Sequence, residues 1–257
     1  MSERSAGGKP ARDGEPAPGG EPEAGLSFLE SIRIEHGRPR RLRLHWERMC
    51  STLHAHGLEP WSFSDLEEAI EAVLDGGEGS SKAACSRDAR DAGSPVSAVR
   101  GPGRFKLRLL YGPDMWRATL ERYRVGGVLG AAVVPASQIR YTHKYADRSE
   151  LNAAQLRLGP RALAIYEQDG LLTDSWYANV LLRYRGEWYT PEKPLLPGVM
   201  RRSLLEGRGF GRVERTQVHA CEIPAADLWR FESISFINAM LDPGEMALDT
   251  DAVIRLL

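Results

Sequence analysis

Cysteine is scarce in this chain of 257 residues: Cys50, Cys85 and Cys221 are odd in number and far apart. Such a set excludes a dense disulfide framework and offers no Cys-x-x-Cys pair to a metal, so the expected compartment is a reducing cytoplasm. An excess of charge is missing too. Lys+Arg number 34 against 35 Asp+Glu, a net charge of −1, and no sequence-wide field draws the chain to nucleic acid or anionic lipid. Apolar runs fall short of the roughly 18 residues that span a membrane, and the N-terminal residues hold no apolar core of a secretory signal. Two stretches lack large side chains. Residues 1–25 contain six Gly, four Pro and eight charges, with Met1 the only large aliphatic residue. Such a segment cannot bury enough surface to offset its ordering entropy and is expected to be a disordered tail. Residues 75–104 are rich in Gly, Ser, Arg and Asp and have no aromatic residue. They are expected to form a mobile insertion, not an element.

The remainder has the composition of a globular protein and reads as two α/β units. Short strands are predicted over Phe28–Ile34 and Arg40–Leu44 around the turn His36-Gly37-Arg38-Pro39. A helix follows from His45 to His56, stopped by Gly57. Ser64-x-x-Glu67 reads as a capping box opening a helix to Leu74. Strands are predicted at Phe105–Tyr111, Trp116–Arg124 and Val128–Val134, with Phe105, Leu107, Leu109 and Tyr111 on one face. Beyond a connector come a helix around Ala146–Leu158, strands Ala162–Tyr166, Tyr177–Tyr184 and Trp188–Thr190, a helix from about Val199, and strands near Val213 and Ile234. The expected organisation is α+β: the tail 1–25, a small N-terminal α/β domain over 26–136 and a larger C-terminal domain over 137–257.

Several polar residues stand out within this frame. Lys144 lies in Tyr141-Thr142-His143-Lys144-Tyr145-Ala146-Asp147-Arg148. Pro197-Gly198-Val199-Met200-Arg201 feeds a helix whose free N–H groups suit a phosphate. Asp174 and Asn179 flank a turn before a strand, and His45 and Arg48 share one side of a helix at i, i+3. His54 and His56 have no carboxylate or cysteine partner nearby in sequence, so no metal site is expected.

In order and spacing these residues resemble the class IV pyridoxal-phosphate enzymes, the aminotransferases of the D-amino-acid and branched-chain type, from about Phe28 to Met246. The resemblance rests on several elements. They are His45-Trp46-Glu47-Arg48 in the first helix, Lys144 with Arg148 four residues on, and Asp169-Gly170-Leu171-Leu172-Thr173-Asp174 leading to Asn179. They continue with Leu196-Pro197-Gly198-Val199-Met200-Arg201 and end at Phe236-Ile237-Asn238-Ala239-Met240. It implies a two-domain, D-amino-acid aminotransferase-like fold, pyridoxal 5'-phosphate as cofactor and a homodimer. By the resemblance, Lys144 is the catalytic lysine that carries the cofactor as a Schiff base. Arg48 grips the phosphate with the N–H groups of Val199 and Met200, and Asn179 and Asn238 add contacts. Asp174, where the family usually has glutamate, pairs with the ring nitrogen. Arg148 and His143 are candidates for touching a small amino substrate. Lys-x-x-x-Arg, Gly-Val-Met-Arg and Asn-Ala-Met look most like the 4-amino-4-deoxychorismate lyases of folate biosynthesis, which release pyruvate and 4-aminobenzoate. A branched-chain or D-amino-acid aminotransferase is the alternative, and a non-catalytic relative of the fold is a third.

Overall fold

The computed structural model describes residues 27–76, 99–112, 116–159, 161–208 and 217–255. The expected tail, most of the expected insertion (77–98) and the strand expected near Val213 lie outside the described residues.

The first half folds as an antiparallel sheet in the order β2-β1-β3-β4: β1 Phe28–Glu35, β2 Arg38–Pro39, β3 Arg104–Tyr111 and β4 Trp116–Arg122. Period-two alternation puts Phe28, Ile32 and Ile34 of β1 beside Phe105, Leu107, Leu109 and Tyr111 of β3, each 2% exposed or less. Helices α1 (Leu42–Ala55) and α2 (Phe63–Leu74) cover that face. No strand forms over Arg40–Leu44, and β2 is instead Arg38–Pro39, within the expected turn; the helical apolar spacing already starts at Leu42, which packs against the core with Trp46, Met49 and Leu53. The capping box lies two residues earlier than predicted. Ser62 Oγ accepts from the Asp65 N–H, and the Ser62 N–H donates to Asp65, each at 3.1 Å.

The second half forms a nine-stranded sheet. Its main path runs β10-β9-β8-β7-β6-β5-β13, and β11 joins β8 with β12 beyond it. The strands are β5 Gly130–Pro135, β6 Ala162–Gln168, β7 Leu171–Ser175, β8 Asn179–Tyr184, β9 Glu187–Pro191, β10 Val218–Cys221, β11 Ser233–Ile237, β12 Ala247–Asp249 and β13 Val253–Arg255. Between them lie the short helices α3 (Ser149–Gln155) and α4 (Val199–Leu205). The sheets change over between Arg122 and Gly130, because β5 pairs in parallel with β6 and β13. Its apolar run needs burial on both faces: Ala131 and Val133 enter one core, Ala132 and Val134 another. Asp169 and Gly170, with φ of 51° and 80°, form the two-residue turn between β6 and β7, where both residues must be left-handed. Strand β8 starts at Asn179 and not at Tyr177, since residues 175–178 make a tight loop in which the Ser175 N–H donates to the Ala178 carbonyl at 2.8 Å. No helix among the described residues is long and apolar enough to cross a membrane.

The open face of the small sheet meets the loop after β11 through an ionic clasp. Arg33 Nη1 donates to Asp242 at 2.7 Å, and Arg104 grips Glu245 with two bonds of 2.7 Å while also donating to the Met240 carbonyl at 2.5 Å. Arg104 is only 16% exposed, so these charge-assisted bonds are less screened than surface pairs. Arg104→Met is expected to lower the urea midpoint by the equivalent of about 1–3 kcal/mol. An unchanged midpoint would mean that apolar packing alone joins the two sheets.

Candidate active site

Between the sheets lies a cavity of about 380 Å³, a size suited to a small molecule. Arg48, Lys144, Arg148, Asp174, Asn179, Val199 and Asn238, predicted from scattered parts of the sequence, all line it. His143 and Met200 do not. His143 packs edge-on against His56 and Tyr145 at ring separations of 5.1 and 6.0 Å. The Met200 side chain is fully buried among Leu181, Leu204, Val218 and Ile237, though its N–H lies in the first turn of α4, where amides have no intrahelical partner.

Lys144 sits on the seam. Its carbonyl accepts from the Leu29 N–H at 2.8 Å, and the Ala146 N–H donates to the Ser27 carbonyl at 2.9 Å, so residues 144–146 are strapped along the start of β1. Burial pushes the amine down to about 7, and the charges of Arg48, Arg148 and Arg108 add to this against Glu30. Arg148 donates to the Trp176 carbonyl, while its Nε is buried with no hydrogen-bond partner.

Arg48 is held from behind by Glu30, which the sequence reading passed over. Its Nε and Nη2 donate to the two carboxylate oxygens at 2.8 and 2.5 Å, and His45 Nδ1 lies 2.7 Å from the same carboxylate. The Arg48 side edge is therefore spent on Glu30, leaving the Nη1 edge for any ligand. Burial alone would raise the Glu30 carboxyl, but Arg48 and His45 outweigh it and hold it down to about 2. A signal for Glu30 was available: alternation puts it on the core face with Phe28, Ile32 and Ile34, where an acid needs a partner.

Asp174 and Asn179 face each other at the point where β7 meets β8. Asn179 Nδ2 donates to Asp174 at 2.6 Å and to the Leu196 carbonyl at 2.9 Å, and the Leu196 N–H donates to the other Asp174 oxygen at 2.8 Å. Asn179 thus orients the carboxylate. Burial pushes Asp174 up to about 7, against these bonds and the charge of Arg201. Gly198 is required because a Cβ there would lie 1.9 Å from Asn179 Oδ1. Asn238 shapes the opposite wall. Its Oδ1 accepts from the Met240 and Leu241 N–H groups at 2.8 and 3.1 Å, and its Nδ2 donates to the Tyr177 carbonyl at 3.2 Å. Lys106, Tyr123 and Tyr141 also line the cavity; Tyr141 opens the stretch that carries Lys144, whereas no sequence motif marked Lys106 or Tyr123. Among the described residues no group of three or more His, Cys, Asp or Glu is placed to hold a metal.

The sequence matches the profile of the amino-transferase class IV family over residues 27–242, and the chain belongs to that family. A Haemophilus influenzae protein of uncharacterised function is 32% identical over 107 residues, 42% of this chain, which spans about half (53%) of that relative. Among solved structures, a candidate 4-amino-4-deoxychorismate lyase from Haemophilus somnus superimposes with a TM-score of 0.67 at 24% identity, covering 84% of this chain and 97% of its own. A fold IV transaminase from Curtobacterium pusillum gives 0.65 at 16% identity, covering 89% and 79%. A hypothetical aminotransferase from Mycobacterium tuberculosis in a PLP-bound form gives 0.64 at 15% identity, covering 95% and 87%. At these identities the likeness is one of fold, and it is the α+β architecture that the resemblance implied.

Two predictions follow from the charges. Arg48→Ala leaves Glu30 buried without its cation and is expected to cost about 3–5 kcal/mol in thermal denaturation. Adding Glu30→Gln should recover much of this, and full stability in the single variant would contradict the pairing. Lys144 has a folded pKa below its ordinary 10.5, so between pH 7 and 10.5 the unfolded chain binds more protons and the amine's contribution to stability rises with pH. The stability of the wild type relative to Lys144→Met should climb between pH 7 and 9 by up to about 1.4 kcal/mol per unit. A flat difference would mean an ordinary, solvated lysine.

Proposed function

We propose that the chain is a pyridoxal-phosphate enzyme of the 4-amino-4-deoxychorismate lyase type, releasing pyruvate and 4-aminobenzoate. The observation that carries this reading is Lys144: an amine held near neutrality by burial and by Arg48, in one cavity with the Asp174 carboxylate. Those residues fit the cofactor's three chemical demands. Lys144 supplies the amine for its aldehyde, and Asp174 supplies a partner for the ring nitrogen. The Nη1 edge of Arg48, with the first-turn amides of α4, supplies donors for the phosphate. When bound, the group serves as an electron sink for the carbon next to the substrate amine.

The chain's own residues do the rest. Asn179 and the Leu196 N–H fix the direction of Asp174, so its charge is preorganised and needs no solvent rearrangement. Lys144 Nζ, with its lowered proton affinity, takes the proton from the substrate carbon and returns one to the departing enolpyruvate. Arg148 lies on the cavity wall four residues beyond Lys144, with an unused buried Nε, and suits a substrate carboxylate. The name of the Haemophilus somnus structure supports the lyase reading. The Curtobacterium pusillum transaminase, equally similar in fold, favours a second one.

The two differ in their need for an amino acceptor. Purified protein with cofactor and aminodeoxychorismate is expected to release 4-aminobenzoate and pyruvate without 2-oxoglutarate, and borohydride should fix one pyridoxyl group on Lys144. Turnover only with a keto acid would replace the lyase with a transaminase. Labelling elsewhere would overturn the Lys144 assignment, and absence of a visible-band chromophore would leave a non-catalytic relative.

A further inference from the structure

We propose that the cavity holds a second anion subsite on the open face of the small sheet, formed by Lys106 and Tyr123 with Arg108 beside them, and fitted to a carboxylate that the substrate carries away from its amine. The proposal rests on this cavity being the active site.

Register places these residues. Cross-strand partners on β1, β3 and β4 share a face, giving the rows Leu29–Leu110–Arg117, Ser31–Arg108–Thr119 and Arg33–Lys106–Glu121. The opposite face is filled by the core under α1 and α2, while Leu29, Ser31 and Lys106 line the cavity. This face is therefore one wall of the site. The first row is fixed to the seam, because the Leu29 N–H bonds the Lys144 carbonyl. The Lys106 row lies four residues further along β1, about 13 Å by the rise of a strand. Tyr123 continues the same alternation past Glu121, with its N–H bonded to the Arg104 carbonyl at 2.8 Å. No bond from its hydroxyl to a described residue is seen, and it too lines the cavity.

Charge points to the ligand. Arg48, Lys106, Lys144 and Arg148 line the cavity, and Asp174 is the one carboxylate among the lining residues. Arg48 is answered by Glu30 from behind. Lys106 pairs with Glu121, which is 54% exposed, and such an exposed pair is weak enough to exchange for a substrate carboxylate at little cost. Arg108 and Arg117 have no acidic partner among the described residues, so the wall keeps uncompensated positive charge. An ammonium and a hydroxyl on the same wall of the cavity offer donors to the two oxygens of a carboxylate.

The test uses the purified protein loaded with pyridoxal phosphate and two probes titrated calorimetrically: isophthalate, with two ring carboxylates, and benzoate, with one. Wild type is expected to bind isophthalate at least tenfold more tightly. Lys106→Met should remove most of that preference with benzoate affinity unchanged, Lys106→Arg should keep it, and Glu121→Gln should increase it at least twofold. Equal or absent binding of isophthalate by wild type, or an unchanged preference in Lys106→Met, would overturn the subsite. Failure to turn over aminodeoxychorismate with the isophthalate preference intact would overturn the lyase reading and leave the subsite standing.

Discussion

A single carboxylate with no solvent contact, Glu30, organises the cation-rich side of this molecule. It sits on the core face of β1, where a charge is tolerated only if paired and hydrogen-bonded. Arg48 takes both of its oxygens, and His45 shares one of them. Because both partners lie on one side of α1, the three-way contact fixes that helix in rotation and translation against the strand. The guanidinium is then carried to the cavity wall as a rigid charge, costing little further side-chain entropy on meeting an anion. The same charge, less the opposing effect of Glu30, reaches Lys144 and lowers its proton affinity. Removing the carboxylate would free Arg48, abandon His45 and weaken the hold of α1 at once.

The second constraint is that the site is assembled across a seam. Lys144 and Arg48 are tied to β1, whereas Asp174, Asn179 and the start of α4 belong to the large sheet. Two sets of contacts keep these parts in register. Between the helices, Glu47 of α1 pairs with Arg202 of α4 at 2.7 Å, and Arg41 donates to Ser203 at 3.2 Å. On the other side, Arg33 and Arg104 grip the loop that carries Asn238, Ala239 and Met240 to the cavity. Both sets rely on charges that are at least partly screened, so the seam is a softer joint than either core.

Sequence periodicity exposed most of the elements, because alternation and helical spacing are local consequences of burial. Phe105, Leu107, Leu109 and Tyr111 are an example: their spacing alone predicted the face they bury. Lys144, Asp174 and Arg48 were legible only through the order of motifs, since each alone is indistinguishable from a solvated residue. What stayed hidden depends on register between distant strands. Lys106 reaches the cavity because β3 pairs with β1 in one register, and a slip of one residue would send it into the core. The change from one sheet to the next was hidden for a related reason. Ala131–Val134 reads as one more strand of the first unit until its two faces are seen to enter different cores. The role of Asn179 was also concealed, since an amide beside a carboxylate looks the same in sequence whether it serves a ligand or its neighbour.

Asp174 shows how the surroundings can fix a short acidic side chain. An aspartate carboxylate stays close to its own backbone. Here the surroundings come to it: the Leu196 N–H and the Asn179 amide each engage one oxygen, and Gly198 lets Asn179 approach. Two donors normally favour the ionised form, yet burial dominates and the carboxyl is pushed up to about 7, close to where Lys144 is pushed down. The cavity thus contains an acid and a base whose charged forms are both made costly by burial, and whose protons are easily redistributed near neutral pH. A cation beside Asp174 would favour its ionised form, and an anion near Arg48 would favour the protonated amine. Either ligand group therefore sets the protonation of the site as it binds.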